Sequence, residues 1–204
     1  MKKAILLGVT ALCMAGCSSS SKEDAIQRLP SDQVSVFTSS DKQLENAYNW
    51  AKKMALSYAH DHSDPVGYWY EAALPQREAF CMRDVSHQSV GAQILGLTAH
   101  NKNMFTRFVE NISEEKDWCT YWEINRYNKP APADYTNDKE FWYNLNANFD
   151  VMQACLKMYQ WTGDAGYLTD PLFTNFYEKS VNEYVHRWAL EPEKIMDRPP
   201  YMNQ

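Results

Sequence analysis

Acidic side chains beside aromatic residues are the groups in this sequence that are best suited to chemistry. A carboxyl group that aromatic neighbours shield from water has a raised pKa, and it can then exchange a proton near neutral pH. Glu123 closes the segment 118–123, which carries two tryptophans and a tyrosine, and it is the first candidate. The alternative is a solvated or salt-bridged carboxylate, the usual state of acidic loop residues. The long loops place six acidic residues near aromatic ones: Glu71, Glu78, Asp84, Asp117, Glu123 and Asp134.

Arg83 and Asp84 stand near the predicted start of a helix, and two roles are open to them. In a structural role Asp84 caps free backbone N–H groups or meets the positive end of the helix dipole, while Arg83 pairs with a neighbouring acid. In a functional role Asp84 accepts hydrogen bonds from ligand hydroxyls, and Arg83 donates in a fork to a hydroxyl or a carboxylate. His87 and Gln88 follow on the same helix face and are further substrate-site candidates. The alternative for His87 is a satisfied structural histidine.

Tryptophan and tyrosine are abundant, with 7 and 13 copies, and aromatic residues make up 14% of the chain. Such rings either fill a core or stack against flat apolar faces such as those of sugar rings. Trp69 and Trp122 are the preferred stacking candidates, and Trp118 and Trp142 are also placed in long loops. Packing between the loops is the alternative for each of them.

The elements that must position these residues are helices. Apolar residues recur at helical spacing from residue 40 onward, and no segment shows the sustained alternation of a strand. Asp41 lies in a possible capping box at the first helix, and Gly163 is a plausible end of the fourth. Gly91 and Gly96, inside the second, predict close helix packing. The predicted helices cover residues 40–63, 84–100, 102–112, 145–162 and 173–188.

A junction between two of these helices resembles a known family. Tyr159-Gln160-Trp161-Thr162-Gly163-Asp164, followed by Tyr167-Leu168, resembles the aromatic-x-x-Thr-Gly-Asp-x-x-Tyr-Leu junction of six-hairpin glycosidases, and residues 77–88 resemble their Arg-Asp entry into an inner helix. The resemblance implies an all-α fold of helical hairpins, the (α/α)6 toroid, with a sugar-binding cleft. It covers residues 41–188, about five of twelve helices, so we expect the N-terminal portion of such a domain.

The resemblance also implies a chemistry, because glycosidic hydrolysis uses two carboxyl groups, one as acid and one as base or nucleophile. Glu123 and Asp84 are the expected catalytic pair, on a plant or host glycan. The expected substrate-binding residues are Arg83, His87, Gln88, Trp69 and Trp122. Two alternatives stay open: a glycan-binding lipoprotein without catalysis, and a polysaccharide lyase in which Arg83 neutralises a uronate.

The N-terminus predicts secretion and lipid anchoring. Residues 1–16 combine two lysines, a short apolar run and small residues before Cys17, as in a lipoprotein signal peptide. Cys17 is the predicted lipidation site, and the polar residues after it make 17–39 a tether to a domain over 40–204. The expected location is the outer membrane, the cell surface or the periplasm.

Composition narrows the partners. Twenty basic and 26 acidic side chains give a net charge of −6, and removal of Lys2 and Lys3 with the signal takes it to −8, which argues against nucleic acid. No sequence motif for a phosphate, a metal or another cofactor appears. Cys81, Cys119 and Cys155 are expected to be small core residues, with one disulfide possible.

Overall fold

The computed structural model describes residues 35–73, 77–194 and 196. The predicted signal peptide, the lipidation site Cys17 and most of the predicted tether lie outside the described residues. The described part is mostly helical, with three small two-stranded sheets formed by its long loops. No helix in it is both long and apolar enough to cross a membrane.

Local sequence signals set the ends of the first helix and the last ones. Helix α1 spans Lys42–Ser57, and the side chain of its N-cap residue Asp41 accepts hydrogen bonds from the N–H groups of Gln43 and Leu44. A capping box over 40–43 would have Ser40 as the cap, so the cap lies one residue later than that motif requires. Helix α4 spans Ala147–Thr162 and ends at Gly163, whose φ of 71° is the left-handed value that glycine adopts without strain. The remaining helical segments are α5 (Gly166–Thr169), α6 (Pro171–Lys179), a π-helical turn (Ser180–Tyr184) and α7 (Val185–Arg187).

The predicted helix over 84–100 is two helices. Helix α2 spans Met82–Ile94 and α3 spans Thr98–Val109, with Gly96 between them at a φ of 81°. A left-handed residue cannot continue a helix, so the chain turns there. The expectation that Gly91 packs closely against a helix is wrong, because a Cβ built on it meets no atom within 4 Å.

The long loops contain short strands that the helical pattern did not predict. Three antiparallel pairs form, β1 with β2, β3 with β4, and β5 with β6. In the second pair Cys81 lies opposite Glu123, and the N–H of Met82 donates to the carbonyl of Trp122 at 2.9 Å. The strands are β1 (Ala59–His60), β2 (Trp69–Tyr70), β3 (Ala79–Cys81), β4 (Glu123–Asn125), β5 (Tyr135–Asn137) and β6 (Glu140–Phe141).

The core lies between α2, α3, α4 and α6. Ser86, Ser89 and Ala92 are buried on α2, and such small side chains let α4 approach closely. No residue of α1 is buried, so this helix lies at the periphery. The largest fully buried side chains are Trp69, Tyr167, Tyr184, Phe80, Phe105, Phe108, Phe173, Phe176, Met82, Met104, Ile124 and Met158.

The three cysteines of the described domain are free and buried. Cys81, Cys119 and Cys155 therefore act as small core residues, and the disulfide considered possible from the sequence does not form. Burial raises the pKa of the Cys81 and Cys155 thiols to about 12. Thiols with such a pKa are poor nucleophiles at neutral pH.

The Thr-Gly-Asp junction is held by short-range contacts. The carboxylate of Asp164 accepts from the N–H of Gly166 at 2.8 Å and pairs with Lys102 at 3.1 Å. The same ammonium lies 3.8 Å from the ring centre of Tyr167, within the range of a cation–π interaction. The junction thus ties α4 and α5 to α3.

Replacement of Asn148 by alanine tests the polar part of the core. Asn148 is fully buried, accepts from the hydroxyl of Tyr143, and donates to the carbonyl of Trp118 and to the hydroxyl of Ser180. Because the variant removes three hydrogen bonds from the core, we expect the free energy of unfolding in urea to fall by about 2 kcal/mol. Gln153→Ala, at an exposed position of the same helix, should change it by less than about 0.5 kcal/mol. Equal effects would show that the buried amide does not stabilise the core.

Candidate functional site

Glu123 is a buried carboxyl group at the end of the two-stranded sheet that β3 and β4 form. It occupies the first position of β4, opposite Cys81, and is 2% exposed. Its backbone is fixed on both sides, because its carbonyl also accepts from the N–H of Ala131 at 2.9 Å. The strand therefore holds the side chain beside the start of α2.

Arg77 and Asp134 complete a three-residue cluster with Glu123. Nη1 of Arg77 donates to Oε2 of Glu123 at 2.8 Å and to Oδ2 of Asp134 at 3.3 Å. The other carboxyl oxygen of Glu123, Oε1, is buried and has no hydrogen-bond partner. Arg77 is the exposed member, with 35% of its side chain open against 1% for Glu123.

This surrounding raises the pKa of Glu123 from its ordinary 4.5 to about 7. Burial is the largest cause, and the neighbouring carboxyl group of Asp134 adds to it, while the charge of Arg77 acts in the opposite direction. A second carboxyl group nearby disfavours the ionised form of Glu123. The cluster can therefore hold and release a proton near neutral pH.

A tryptophan pair lies next to this cluster. The backbone N–H of Trp142 donates to the carbonyl of Asp134 at 2.8 Å, and its ring packs edge-on against Trp122 with 4.5 Å between the ring centres. Trp122 is 8% exposed, whereas Trp142 is 52% exposed. The guanidinium of Arg83 lies 5.6 Å from the ring centre of Trp122. An open aromatic face thus stands beside an arginine and a proton-holding carboxyl group.

The exposed face of α2 continues from Arg83 to a cavity. Arg83 and His87 are one helical turn apart, and both act electrostatically on Asp150 of α4. Burial raises the pKa of Asp150, and these two side chains oppose that rise. The cavity has a volume of about 550 Å³, and its polar lining includes His87, Gln88 and Glu71.

The sequence-predicted site residues separate into three groups. Glu123, Trp122 and Arg83 lie together, and His87 and Gln88 line the cavity. Asp84 is half-buried in the first turn of α2, where its carboxylate lies near the thiol of Cys81. The helix begins at Met82 with Cys81 as its N-cap residue, so the capping role considered for Asp84 is wrong.

Trp69 is too deeply buried to stack on a ligand. It is completely buried, its indole N–H donates to Asp64 at 2.9 Å, and His60 stacks on its ring. No face of it is open to a ligand, so the expectation that it binds substrate is corrected. Trp142 has the open face instead.

Two members of the site were not singled out from the sequence. Arg77 lies 46 positions before Glu123 and meets it only because β3 pairs with β4. Asp150 lies inside a regular amphipathic helix, where an acidic residue is ordinary. The pairing of β3 with β4 is what brings Arg77 to the site. Strands this short have no sequence pattern from which their pairing could be predicted.

The described residues contain no group of three or more His, Cys, Asp or Glu side chains arranged to hold a metal ion. The polar groups of the site are instead suited to hydrogen bonding and proton transfer. Acid–base chemistry is therefore the chemistry that these side chains can perform themselves.

No family model, curated protein or solved structure matches the chain. The resemblance to six-hairpin glycosidases thus stays a prediction from short motifs. The chemistry of the site has to follow from the cluster of Arg77, Glu123 and Asp134 and the tryptophan pair beside it.

The pH dependence of stability tests the raised pKa of Glu123. A group that binds its proton more tightly when folded stabilises the fold at low pH, so this contribution should decline as pH rises from 4.5 to about 7. Between about pH 5 and about pH 8 the wild type should therefore lose more unfolding free energy than Glu123→Gln, whose amide does not titrate. Urea titrations of both proteins at the two pH values measure this. An equal loss in both would contradict a raised pKa.

Proposed function

We propose that the chain carries the acid-bearing part of a glycoside hydrolase, with Glu123 as the proton donor to the leaving oxygen. The observation that carries the proposal is the buried Glu123 carboxyl group, which Arg77 bridges to Asp134 next to a pair of tryptophans, one of them exposed. A general acid must be protonated at the working pH, and a pKa of about 7 meets that need. A flat ring next to it suits the apolar face of a sugar.

Each residue of the cluster has a distinct part in this proposal. Asp134 is a positioning residue that favours the protonated form of Glu123 through its nearby carboxyl group and that also holds Nη1 of Arg77. Arg77 covers Oε2 and must turn away before the proton reaches a substrate, which its 35% exposed side chain permits. Asp84, three positions after the strand partner of Glu123, is the proposed second carboxylate.

The exposed face of α2 supplies the proposed binding groups. Arg83, His87 and Gln88 offer donors and acceptors to sugar hydroxyls, and the cavity beyond them extends the binding surface. Trp142 is the stacking platform, and Trp122, which is 8% exposed and therefore too buried to stack on a sugar, supports it. An elongated arrangement of this kind suits several sugar units rather than a single one.

A glycan-binding protein without catalysis is the second proposal, and the exposure of Trp142 favours it. Stacking requires only an open ring, whereas hydrolysis also requires that Glu123, which is 2% exposed, reach the bond. The two proposals therefore differ in whether Glu123 is needed.

Variants of Glu123 and Trp142 distinguish the two proposals. With the full chain purified in detergent, release of reducing ends from plant and host polysaccharides should fall at least about 100-fold in Glu123→Gln, while binding persists. Trp142→Ala should weaken binding about tenfold, and Trp161→Ala, at another exposed tryptophan, should not. If the wild type binds glycans but releases no reducing ends, the hydrolase proposal fails and the non-catalytic proposal stands. Equal loss of binding in both tryptophan variants would contradict a platform at Trp142.

We also propose that the chain is secreted and anchored in a membrane by a lipid on Cys17. Acyl chains on that cysteine would hold the protein at the outer membrane, the cell surface or the periplasmic side. The basic and apolar residues before Cys17 support this proposal.

Replacement of Cys17 tests the anchor. We expect Cys17→Ser to lose radiolabelled palmitate and to leave the membrane fraction, because no acyl chain remains to partition into lipid. Cys13→Ser, inside the predicted signal, should keep both the label and the membrane association. Labelled, membrane-bound Cys17→Ser protein would contradict lipidation at this residue.

A further inference from the structure

Arg83 differs from every other arginine that the structure describes. Arg77, Arg107, Arg126 and Arg187 each pair with a carboxylate at 2.6 to 3.3 Å. No carboxylate oxygen of the described residues lies within 4.0 Å of a nitrogen of Arg83. Its contact is instead the ring of Trp122, at 5.6 Å. Among the described arginines, Arg83 is therefore the one that forms no ion pair with a described carboxylate.

The aromatic contact places this guanidinium over a ring that is itself held in position. The carbonyl of Trp122 accepts from the N–H of Met82, and its ring packs on Trp142. A cation–π contact uses the face of the ring and leaves the N–H groups of the guanidinium able to donate to a ligand. Arg83 is exposed, so these groups are open to a ligand.

The nearby acidic side chains do not form an ion pair with Arg83. Asp150 acts on it only through the electrostatic field, and its carboxylate accepts from the side-chain amide of Asn146 at 2.7 Å. Glu123 and Asp134 share Nη1 of Arg77. The charge of Arg83 is thus available to an anion that arrives with the ligand.

We propose that the sugar bound at this site carries a carboxylate, and that Arg83 recognises a uronate by a two-point contact while Trp142 stacks on its ring. This inference rests on the proposed glycan site and names its substrate class. A planar carboxylate matches the two parallel N–H groups of an arginine, which a neutral hydroxymethyl group cannot do. The overall charge of −6 disfavours anions in general, so binding depends on this local fork.

Matched sugars test the proposal on the full chain in detergent. Glucuronate and galacturonate differ from glucose and galactose only in the carboxylate at C6, and glucose 6-sulfate supplies a tetrahedral anion. We expect at least one uronate to shift the indole N–H signals of Trp122 and Trp142 and the Nε–H signal of Arg83 in ¹H–¹⁵N NMR spectra. The neutral sugars should bind at least about tenfold more weakly.

Three variants at two arginines test the role of Arg83 and supply its controls. Arg83→Gln should lose uronate binding by about tenfold or more, and Arg83→Lys should recover part of it, because lysine keeps the charge but not the fork. Arg187→Gln should bind as the wild type does. Arg187 is a matched control, since it also lies over a tryptophan, at 5.9 Å from Trp188, but is paired with Asp117.

Three results would each overturn the inference. Equal binding of neutral sugars and uronates, no shift with any sugar, or binding of the sulfate in place of both uronates would each exclude a carboxylate-reading Arg83. Uronate binding without any bond cleavage would leave this inference in place and overturn only the hydrolase proposal. Hydrolysis confined to neutral glycans would overturn this inference and leave the hydrolase proposal in place.

Discussion

The antiparallel pairing of β3 with β4 is the contact on which the site depends. It joins residues that lie more than 40 positions apart and sets Cys81 opposite Glu123. The hydrogen bond from Met82 to Trp122 carries the pairing into the first turn of α2, and the one from Arg126 to Glu78 extends it at the other end. A strand and a helix start are thereby fixed as one unit. Without it, the parts of the site would have no common frame.

The cluster around Glu123 favours chemistry over stability. Burial of a carboxyl group costs free energy, and Oε1 of Glu123 recovers none of it through a hydrogen bond. Arg77 compensates one oxygen but must be shared with Asp134. A hydrophobic residue at position 123 would fill the same space at lower cost, as replacements of buried ion pairs show. A costly arrangement of this kind is typical of functional sites, where local rules are broken for a reason.

Short-range rules predicted part of this structure, and long-range pairing explains the rest. The end of α4 at Gly163 follows from local backbone chemistry and was predicted, and the N-cap of α1 lies at Asp41, within the predicted segment 40–43 but one residue after the Ser40 of a capping box. Strands of two or three residues carry no periodicity, so the pairing that brings Arg77 to Glu123 could not be predicted. The same limit applies to the tryptophans. Nothing local tells the buried Trp69 from the open Trp142, because exposure depends on which hairpin covers which ring.

Helix α2 makes a linear site out of separate groups. Its buried face carries serines and alanine that let α4 approach, so its other face stays open to solvent. Along that face Arg83, His87, Gln88 and Gly91 follow one another over about 12 Å, at 1.5 Å per residue. Gly91, with no atom near its missing Cβ, leaves space where a larger side chain would narrow the cavity. At one end of this face the guanidinium of Arg83 lies over the ring of Trp122, and at the other end is the cavity. An extended ligand can therefore contact both.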